Sequence, residues 1–394
     1  MTAPTAGDRE SGAEEYITTG VAIGLGSIHE SRGQEGLAHL FEHLVVARLK
    51  RAIEECRQDR RLAELDVTVS ARTYTFHTEI SIDLLDTGDS RSEDLVGHLY
   101  SLLRDDASMV SVGEIAREAR SIDHEVSTRG GVRRIQRTPA YVPHAVYTDR
   151  PGAPNSYALS WVLTGPEGPS HCAHWQRAFR EAPVGIAVRR TGDIDRISAI
   201  MRNSVGGREE PDPADPDTIG LRPWTDWPDL ENRPHTRRHL DDAGTAADGW
   251  VSAAWPWADM SSDDLRAAYL VMSADDGVMS GRRFGLYGPL RGPDGWVLLS
   301  NHSSGRSAAD HWFGPDGEEN LAAMRTRAID TIDEMISSNE GISFSARENL
   351  FGTGHGALRD AVSRVRLPDM QDLIEGSAGW RPAPFVMEKR AYES

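Results

Sequence analysis

Cysteine is scarce in this chain, which has only Cys56 and Cys172 among its 394 residues. Two cysteines cannot build the network of disulfides that stabilises many small secreted domains. The simplest expectation is therefore a reducing, cytoplasmic setting. Residues 1–15 contain neither a basic start nor an apolar segment, so we expect neither a signal peptide nor a transit peptide.

Basic residues are also few in comparison with acidic ones. Lys and Arg number 43 and Asp and Glu number 61, which gives a formal net charge of −18. Nucleic acids and anionic lipid surfaces are bound through basic patches, so we expect neither as a partner. A neutral or cationic peptide is a more compatible ligand, although a charge of this size commonly serves solubility alone.

Long apolar segments are missing as well, since no run approaches the roughly 20 residues that cross a membrane as a helix. No membrane association is therefore predicted. The hydrophobic fraction of 39% and the charged fraction of 26% are ordinary for a globular protein. A chain of 394 residues is long enough for two or three domains.

The order of strand and helix patterns indicates an α+β protein. Residues 16–25 and two runs within 65–83 are rich in β-branched residues and predict strands. Helices are predicted over about 35–57 and about 111–128. The second of these helices begins with the sequence S-V-G-E, which matches the capping-box pattern.

The stretch 206–235 contains Pro, Gly and acidic residues throughout and has no apolar period, which predicts an interdomain linker. Strand and helix patterns follow it in the same order as before, with strands near 248–255 and 295–301 and helices over 317–338 and 345–365. The sequence therefore predicts two halves of similar plan, at 1–205 and 236–394, that the linker joins.

Residues 39–43 read H-L-F-E-H, an H-x-x-E-H pattern. On a helix, His39 and His43 lie on one face because they are four residues apart, so both imidazoles can reach one metal ion. Glu42 projects from the edge of the same face, where it can hold a water molecule at the metal and accept its proton. This arrangement predicts a zinc-dependent hydrolase of amide bonds.

Catalytic zinc usually takes a third protein ligand, and the helix at 111–128 offers one. Glu118 and Glu125 fall within one sector of that helix together with Ile115 and Ile122, which mark the sector as buried. Buried carboxylates are costly unless they are paired or bound to metal. If one of these carboxylates is a zinc ligand and the other lies beside it, the buried positions of both are explained.

Each of these features also has a structural explanation without a metal. His39 and His43 could be core histidines with satisfied hydrogen bonds, with Glu42 a chance neighbour. Glu118 and Glu125 could belong to an ordinary solvated helix face, which is the usual place for Glu. The position of both carboxylates among isoleucines favours the metal site.

The segments 26–30 (G-S-I-H-E) and 36–43 (G-L-A-H-L-F-E-H) resemble the inverzincin peptidases. This family includes pitrilysin, insulin-degrading enzyme and the mitochondrial processing peptidase. Its members also carry two Glu seven residues apart on a later helix, a spacing that Glu118 and Glu125 match. The resemblance implies that Glu125 is the third zinc ligand and that Glu118 is an essential carboxylate behind the ligands.

The resemblance extends into the second half of the chain. Residues 280–291 are similar to a family segment that ends in a substrate-binding Arg, which implies that role for Arg291. The family Tyr that follows seven residues later is Leu298 here. Residues 67–70 (V-T-V-S) also lack the Asn-Ala that usually begins the strand beside the active site. Both departures concern contacts with substrate and leave the zinc motif intact.

The family fold that the resemblance implies is a pair of α+β halves, each a mainly antiparallel sheet flanked by helices. The first half would bind zinc and carry out catalysis, and the second would bind substrate. Larger members join four such units into a chamber, whereas this chain supplies two. The resemblance therefore implies a homodimer, or a heterodimer with a sister subunit that could carry the complete Arg–Tyr pair.

The predicted function is a zinc metalloendopeptidase that hydrolyses peptides or small unfolded proteins, such as an enzyme that processes a precursor peptide. Glu42 would act as general base and Arg291 would stabilise the oxyanion or hold the substrate carbonyl. The substrate would lie extended along a strand within 67–76. The alternative is a non-catalytic peptide-binding or structural subunit of a peptidase-like heterodimer.

Overall fold

The fold is described from a computed structural model of the protein. The structure describes the following residues: 16–30, 36–58, 66–74, 77–88, 90–103, 111–128, 175, 177–179, 181–189, 194–205, 236–241, 250–256, 264, 267–268, 270–271, 274, 285–287, 297–301, 315–337, 341–351, 355–370 and 380–390. The predicted linker at 206–235 lies outside these residues, and so does Arg291.

A four-stranded sheet with the order β2-β3-β1-β4 forms the first part of the fold. Its strands are β1 (Tyr16–Ile23), β2 (Val67–Thr73), β3 (Thr78–Leu85) and β4 (Val184–Arg189). Every neighbouring pair in it is antiparallel. The strands predicted within 16–25 and 65–83 are confirmed.

Four helices belong to the same part of the chain: α1 (Leu37–Arg57), α2 (Ser90–Ser101), α3 (Val112–Thr128) and α4 (Ile194–Val205). They cover one face of the sheet. Alternate residues of β1 and β3, such as Ile17, Val21 and Ile82, are fully buried there with Leu40 of α1 and Ile122 of α3. Because side chains alternate along a strand, every second side chain lies on the helix-covered face.

The entry into α1 explains why the helix begins at Leu37. Gly36 precedes it with φ 90°, a left-handed conformation that favours glycine. Gly36 has no side chain to cap the helix, and the Glu30 carboxylate does so instead. Its Oε1 accepts the backbone N–H of Ala38 at 3.0 Å. A carboxylate at this end also complements the helix dipole.

The capping box predicted at the start of α3 is confirmed. The Glu114 backbone N–H donates to Ser111 Oγ at 3.2 Å, and the Ser111 backbone N–H donates to Glu114 Oε2 at 2.9 Å. The same carboxylate pairs through Oε1 with Arg51 of α1 at 2.7 Å. The cap therefore also links α3 to α1.

The opposite face of the sheet is covered by a helix from far along the chain, α6 (Gly341–Phe351). Ala22 of β1 and Ala187 of β4 form a small buried cluster with Ile342 and Ala346 of α6. A methyl group at Gly185 would overlap the backbone of α6. Small residues on the sheet therefore let the helix backbone approach closely.

A second sheet has five strands in the order β5-β9-β6-β8-β7. They are β5 (Thr236–Asp241), β6 (Trp250–Pro256), β7 (Gly285–Tyr287), β8 (Val297–Asn301) and β9 (Trp380–Arg390). The β5–β9 pair is parallel and the other pairs are antiparallel. The sequence predicted β6 and β8 but missed β5, β7 and β9.

Helix α5 (Gly317–Ser337) has the bounds expected from the sequence to within one residue. The single helix predicted over 345–365 is instead two helices, α6 and α7 (His355–Arg364). Helices and an antiparallel sheet in one chain confirm the α+β class. The division into two similar halves stays a prediction. No helix among the described residues is both long and apolar enough to span a bilayer.

Candidate metal centre

The two histidines of the H-x-x-E-H pattern lie on one face of α1. Their ring centroids are 4.8 Å apart, and their side chains are only 13% and 18% exposed. Ligand atoms of His39, Glu42 and His43 all lie within 4.8 Å of one another. Three groups of this kind in a partly buried cluster could hold a metal ion.

Helix α3 brings Glu125 to the same point. Its Oε2 is 3.8 Å from His39 Nε2 and 3.5 Å from His43 Nε2. Zinc–ligand distances of about 2.0–2.2 Å in tetrahedral geometry place two ligand atoms of one ion roughly 3.4 Å apart. The separations around Glu125 Oε2 are close to that value, so His39, His43 and Glu125 suit one zinc ion.

Glu118 lies behind His43, on the side of the ring away from Glu125. Its Oε2 is 3.6 Å from His43 Nδ1, and its Oε1 accepts from Arg117 Nε at 3.0 Å. A carboxylate near Nδ1 favours the tautomer with the proton on that nitrogen. The Nε2 lone pair of His43 is then directed toward Glu125.

Glu42 is held by a residue that the sequence did not single out. Its Oε2 accepts the hydroxyl of Thr73 at 2.6 Å. Thr73 is the last residue of β2, which packs beside α1. The sequence predicted a strand in this region, but nothing local indicates which of its residues meets Glu42.

Among the described strands, β2 lies at the edge of its sheet with β3 as its only neighbour. The Tyr74 N–H donates to His77 O at 2.8 Å, and the Leu85 N–H donates to Asp66 O at 2.9 Å. In an antiparallel pair, successive residues direct their backbone groups alternately toward and away from the neighbouring strand. Residues 67, 69, 71 and 73 therefore direct their N–H and C=O groups toward the open edge.

The loop end of β2 is fixed by two further contacts. The Tyr74 C=O accepts the Ser27 N–H at 3.1 Å, and the Tyr74 ring stacks on His77 with 4.7 Å between centroids. His77 Nε2 is 2.9 Å from the buried Glu79 carboxylate. Although burial disfavours its charge, the contact with His77 keeps the pKa of Glu79 below its usual value.

No family model and no curated protein matches this chain by sequence. Solved structures do match it. A protease from Helicobacter pylori aligns with a TM-score of 0.62 at 9% identity, over 95% of this chain and 94% of the protease. Pitrilysin aligns with a TM-score of 0.54 at 11% identity, over 97% of this chain and 43% of pitrilysin. This chain has the pitrilysin fold.

The pitrilysin fold confirms, at the level of architecture, the resemblance that the sequence motifs indicated. The chain spans less than half the length of pitrilysin but nearly the full length of the Helicobacter pylori protease. A chain of Complex III2 from Candida albicans with Inz-5 bound also aligns, with a TM-score of 0.57 at 11% identity, over 96% of this chain and 92% of that one. The pitrilysin fold alone therefore does not decide catalysis.

The resemblance connected two positions in the second half of the chain with substrate binding: Arg291, and Leu298 in place of the family Tyr. Arg291 lies outside the described residues. The backbone of Leu298 belongs to β8, where it pairs with Ala254 and Leu286. The substrate-binding role of Arg291 stays a prediction.

Proposed function

We propose that this protein is a zinc-dependent endopeptidase that hydrolyses peptides or small unfolded proteins. One observation carries the proposal: Glu125 Oε2 faces the Nε2 atoms of both His39 and His43, with Glu42 beside them. Three ligands and a neighbouring carboxylate are the set that catalytic zinc sites use. The pitrilysin fold supports a peptidase.

His39, His43 and Glu125 would hold the zinc ion. Zinc bound there would act as a Lewis acid toward the peptide carbonyl and would make water a stronger acid. Glu42 accepts the proton of the attacking water and passes it to the leaving amine. Glu118 keeps the His43 ring oriented through Nδ1.

The substrate proposed for this site is an extended peptide that adds to the open edge of β2. The outward backbone groups of residues 67, 69, 71 and 73 would pair with it, and main-chain pairing accepts many sequences. The net charge of −18 favours a neutral or cationic peptide. Processing of a precursor peptide suits this mode of binding. Arg291 is proposed to contact the substrate carbonyl.

A second candidate function is a non-catalytic peptide-binding or structural subunit. The similarity to a chain of Complex III2 from Candida albicans supports it, because that chain belongs to a complex. The presence of His39, Glu42, His43 and Glu125 together favours catalysis over this alternative, since a purely structural subunit has no need of the set.

The test compares purified wild-type protein with Glu42→Gln and Glu125→Ala. Zinc content is measured by atomic absorption, and cleavage is measured on a library of fluorogenic peptides. We expect Glu42→Gln to keep zinc and to lose on the order of a hundredfold or more in rate. Glu125→Ala should lose zinc as well as activity because it removes a ligand.

Two results would contradict the proposal in different ways. Full activity in Glu42→Gln would exclude Glu42 as the base. The non-catalytic subunit would be favoured if wild-type protein binds peptides but neither binds zinc nor cleaves any peptide.

A further inference from the structure

We propose that Thr73 is a positioning residue that fixes the carboxylate of Glu42 relative to the bound peptide. This inference rests on the proposed function and adds a residue to it. Thr73 is not part of the H-x-x-E-H pattern and would not contact the zinc ion.

The first step is the contact itself. The Thr73 hydroxyl oxygen lies 2.6 Å from Glu42 Oε2 and 3.4 Å from Ala38 O. A hydroxyl has one proton to donate, and the much shorter distance assigns it to the carboxylate. Hydrogen bonds from a hydroxyl to a carboxylate at about 2.5–2.7 Å are charge-assisted and are among the stronger ones in proteins. The bond restrains Oε2, whereas Oε1 is the oxygen left to receive a proton.

The second step concerns the backbone of the same residue. Thr73 is opposite Thr78 in the β2–β3 pair, and its neighbour Tyr74 directs its own N–H toward β3. The N–H and C=O of Thr73 therefore point to the open edge, where a peptide strand would add. One residue would then hold the peptide with its backbone and the base with its side chain.

The third step is rigidity. Tyr74 is bonded through its backbone to both His77 and Ser27, so the end of β2 is held from two sides. The β-branched side chain of Thr73 has few accessible rotamers. The distance between the peptide carbonyl and the Glu42 carboxylate is thereby set before the substrate arrives, and misplacement of about 1 Å at such a point can reduce rates by about a hundredfold.

The test uses steady-state kinetics on a cleaved peptide with the full-length protein. Thr73→Val removes the hydroxyl but keeps the branched shape, and Thr73→Ser keeps the hydroxyl. We expect Thr73→Val to lower kcat by on the order of tenfold to a hundredfold with KM within about twofold, because the backbone pairing persists. Thr73→Ser should keep kcat within about threefold of the wild type.

Two controls separate this role from a structural one. Thr331→Val changes an exposed threonine of α5 whose hydroxyl donates to Arg327 O, and its kinetics should equal those of the wild type. Zinc content should be the same in all variants, and circular dichroism should show that Thr73→Val is folded.

The inference is overturned if Thr73→Val cleaves as fast as the wild type, or if Thr73→Ser is as slow as Thr73→Val. A rise in KM at constant kcat would also overturn it, since that result assigns Thr73 to peptide binding alone. In each of these cases Glu42→Gln would still be inactive and the wild type active. Failure of the proposed function is distinct, because wild-type protein would then cleave nothing.

Discussion

Glu118 and Glu125 reach one imidazole ring from two sides. They are seven residues apart on α3, which is nearly two helical turns and about 10 Å along the axis. The two carboxylates nevertheless converge, with Glu118 near Nδ1 of His43 and Glu125 near its Nε2. Each carboxylate therefore contacts a different nitrogen of His43. The two carboxylates could exchange nitrogens only if the imidazole ring turned over.

His29, in the short 3₁₀ turn before α1, provides a test at the same scale that does not involve the metal centre. Burial lowers the pKa of His29 from its usual value of 6.5 to about 4. Its Nδ1 accepts the Gly26 N–H at 3.0 Å, so the folded protein holds the neutral ring. Between pH 6.5 and about 4 the unfolded chain binds more protons at this residue than the folded one.

The stability that His29 contributes is therefore complete above pH 6.5 and declines as the pH falls through this window. The slope from a single group is at most about 1.4 kcal/mol per pH unit. We expect His29→Asn, which can still accept a hydrogen bond, to show a shallower loss of stability in urea unfolding between pH 7 and 4.5. The experiment is done with chelator present, and equal slopes in both proteins would contradict the prediction.

At the scale of elements, the docking of α6 onto β1 and β4 depends on small residues. A methyl group at Gly185 would overlap the backbone of Ala346 and Leu350, whereas one at Gly20 would lie 3.1 Å from Ile342 O. Backbone cannot move aside as a flexible side chain can. Gly185 therefore tolerates no larger residue while α6 stays in place.

We expect Gly185→Ala to destabilise the protein by about 1–3 kcal/mol, as overpacking of a close contact usually does. Gly356→Ala is the matched control, because nothing lies within 4 Å of the added methyl group at that helical position. Both are compared by chemical unfolding. An unchanged unfolding midpoint in Gly185→Ala would show that α6 does not pack on the sheet as described.

At the scale of the whole molecule, the chain aligns with 43% of pitrilysin, whose single chain is thus more than twice as long. Two copies of this chain, or one copy and a sister subunit, would supply a comparable number of structural units. We therefore propose a dimer. Sedimentation should give about twice the mass of 43.3 kDa for a homodimer.

Charge makes this association sensitive to salt. Each copy carries a formal charge of −18, and like charges repel at low ionic strength. The dimer fraction should therefore rise as salt is raised from about 0.01 M to 0.15 M. A single species of monomer mass under all conditions would contradict a homodimer and would leave the heterodimer to be tested by co-purification.

The sequence by itself determined the features that depend on short-range rules. Four-residue spacing places His39 and His43 on one helix face, and the S-x-x-E pattern alone specifies the capping box of α3. Three strands of the first sheet, β1, β2 and β3, also follow from local composition. Such features are readable because a helix or strand repeats with a fixed period, whatever surrounds it.

Only the tertiary structure decided which distant segments meet. The packing of separate elements decides that Thr73 contacts Glu42 and which nitrogen of His43 each carboxylate approaches. It also decides that α6 lies on a sheet whose strands precede it by some 150 to 320 residues. The long strand β9 was missed because its pairing with β5 and β6 is equally non-local. Packing depends on the shapes and contacts of both partners at once, and no local period in either segment encodes it.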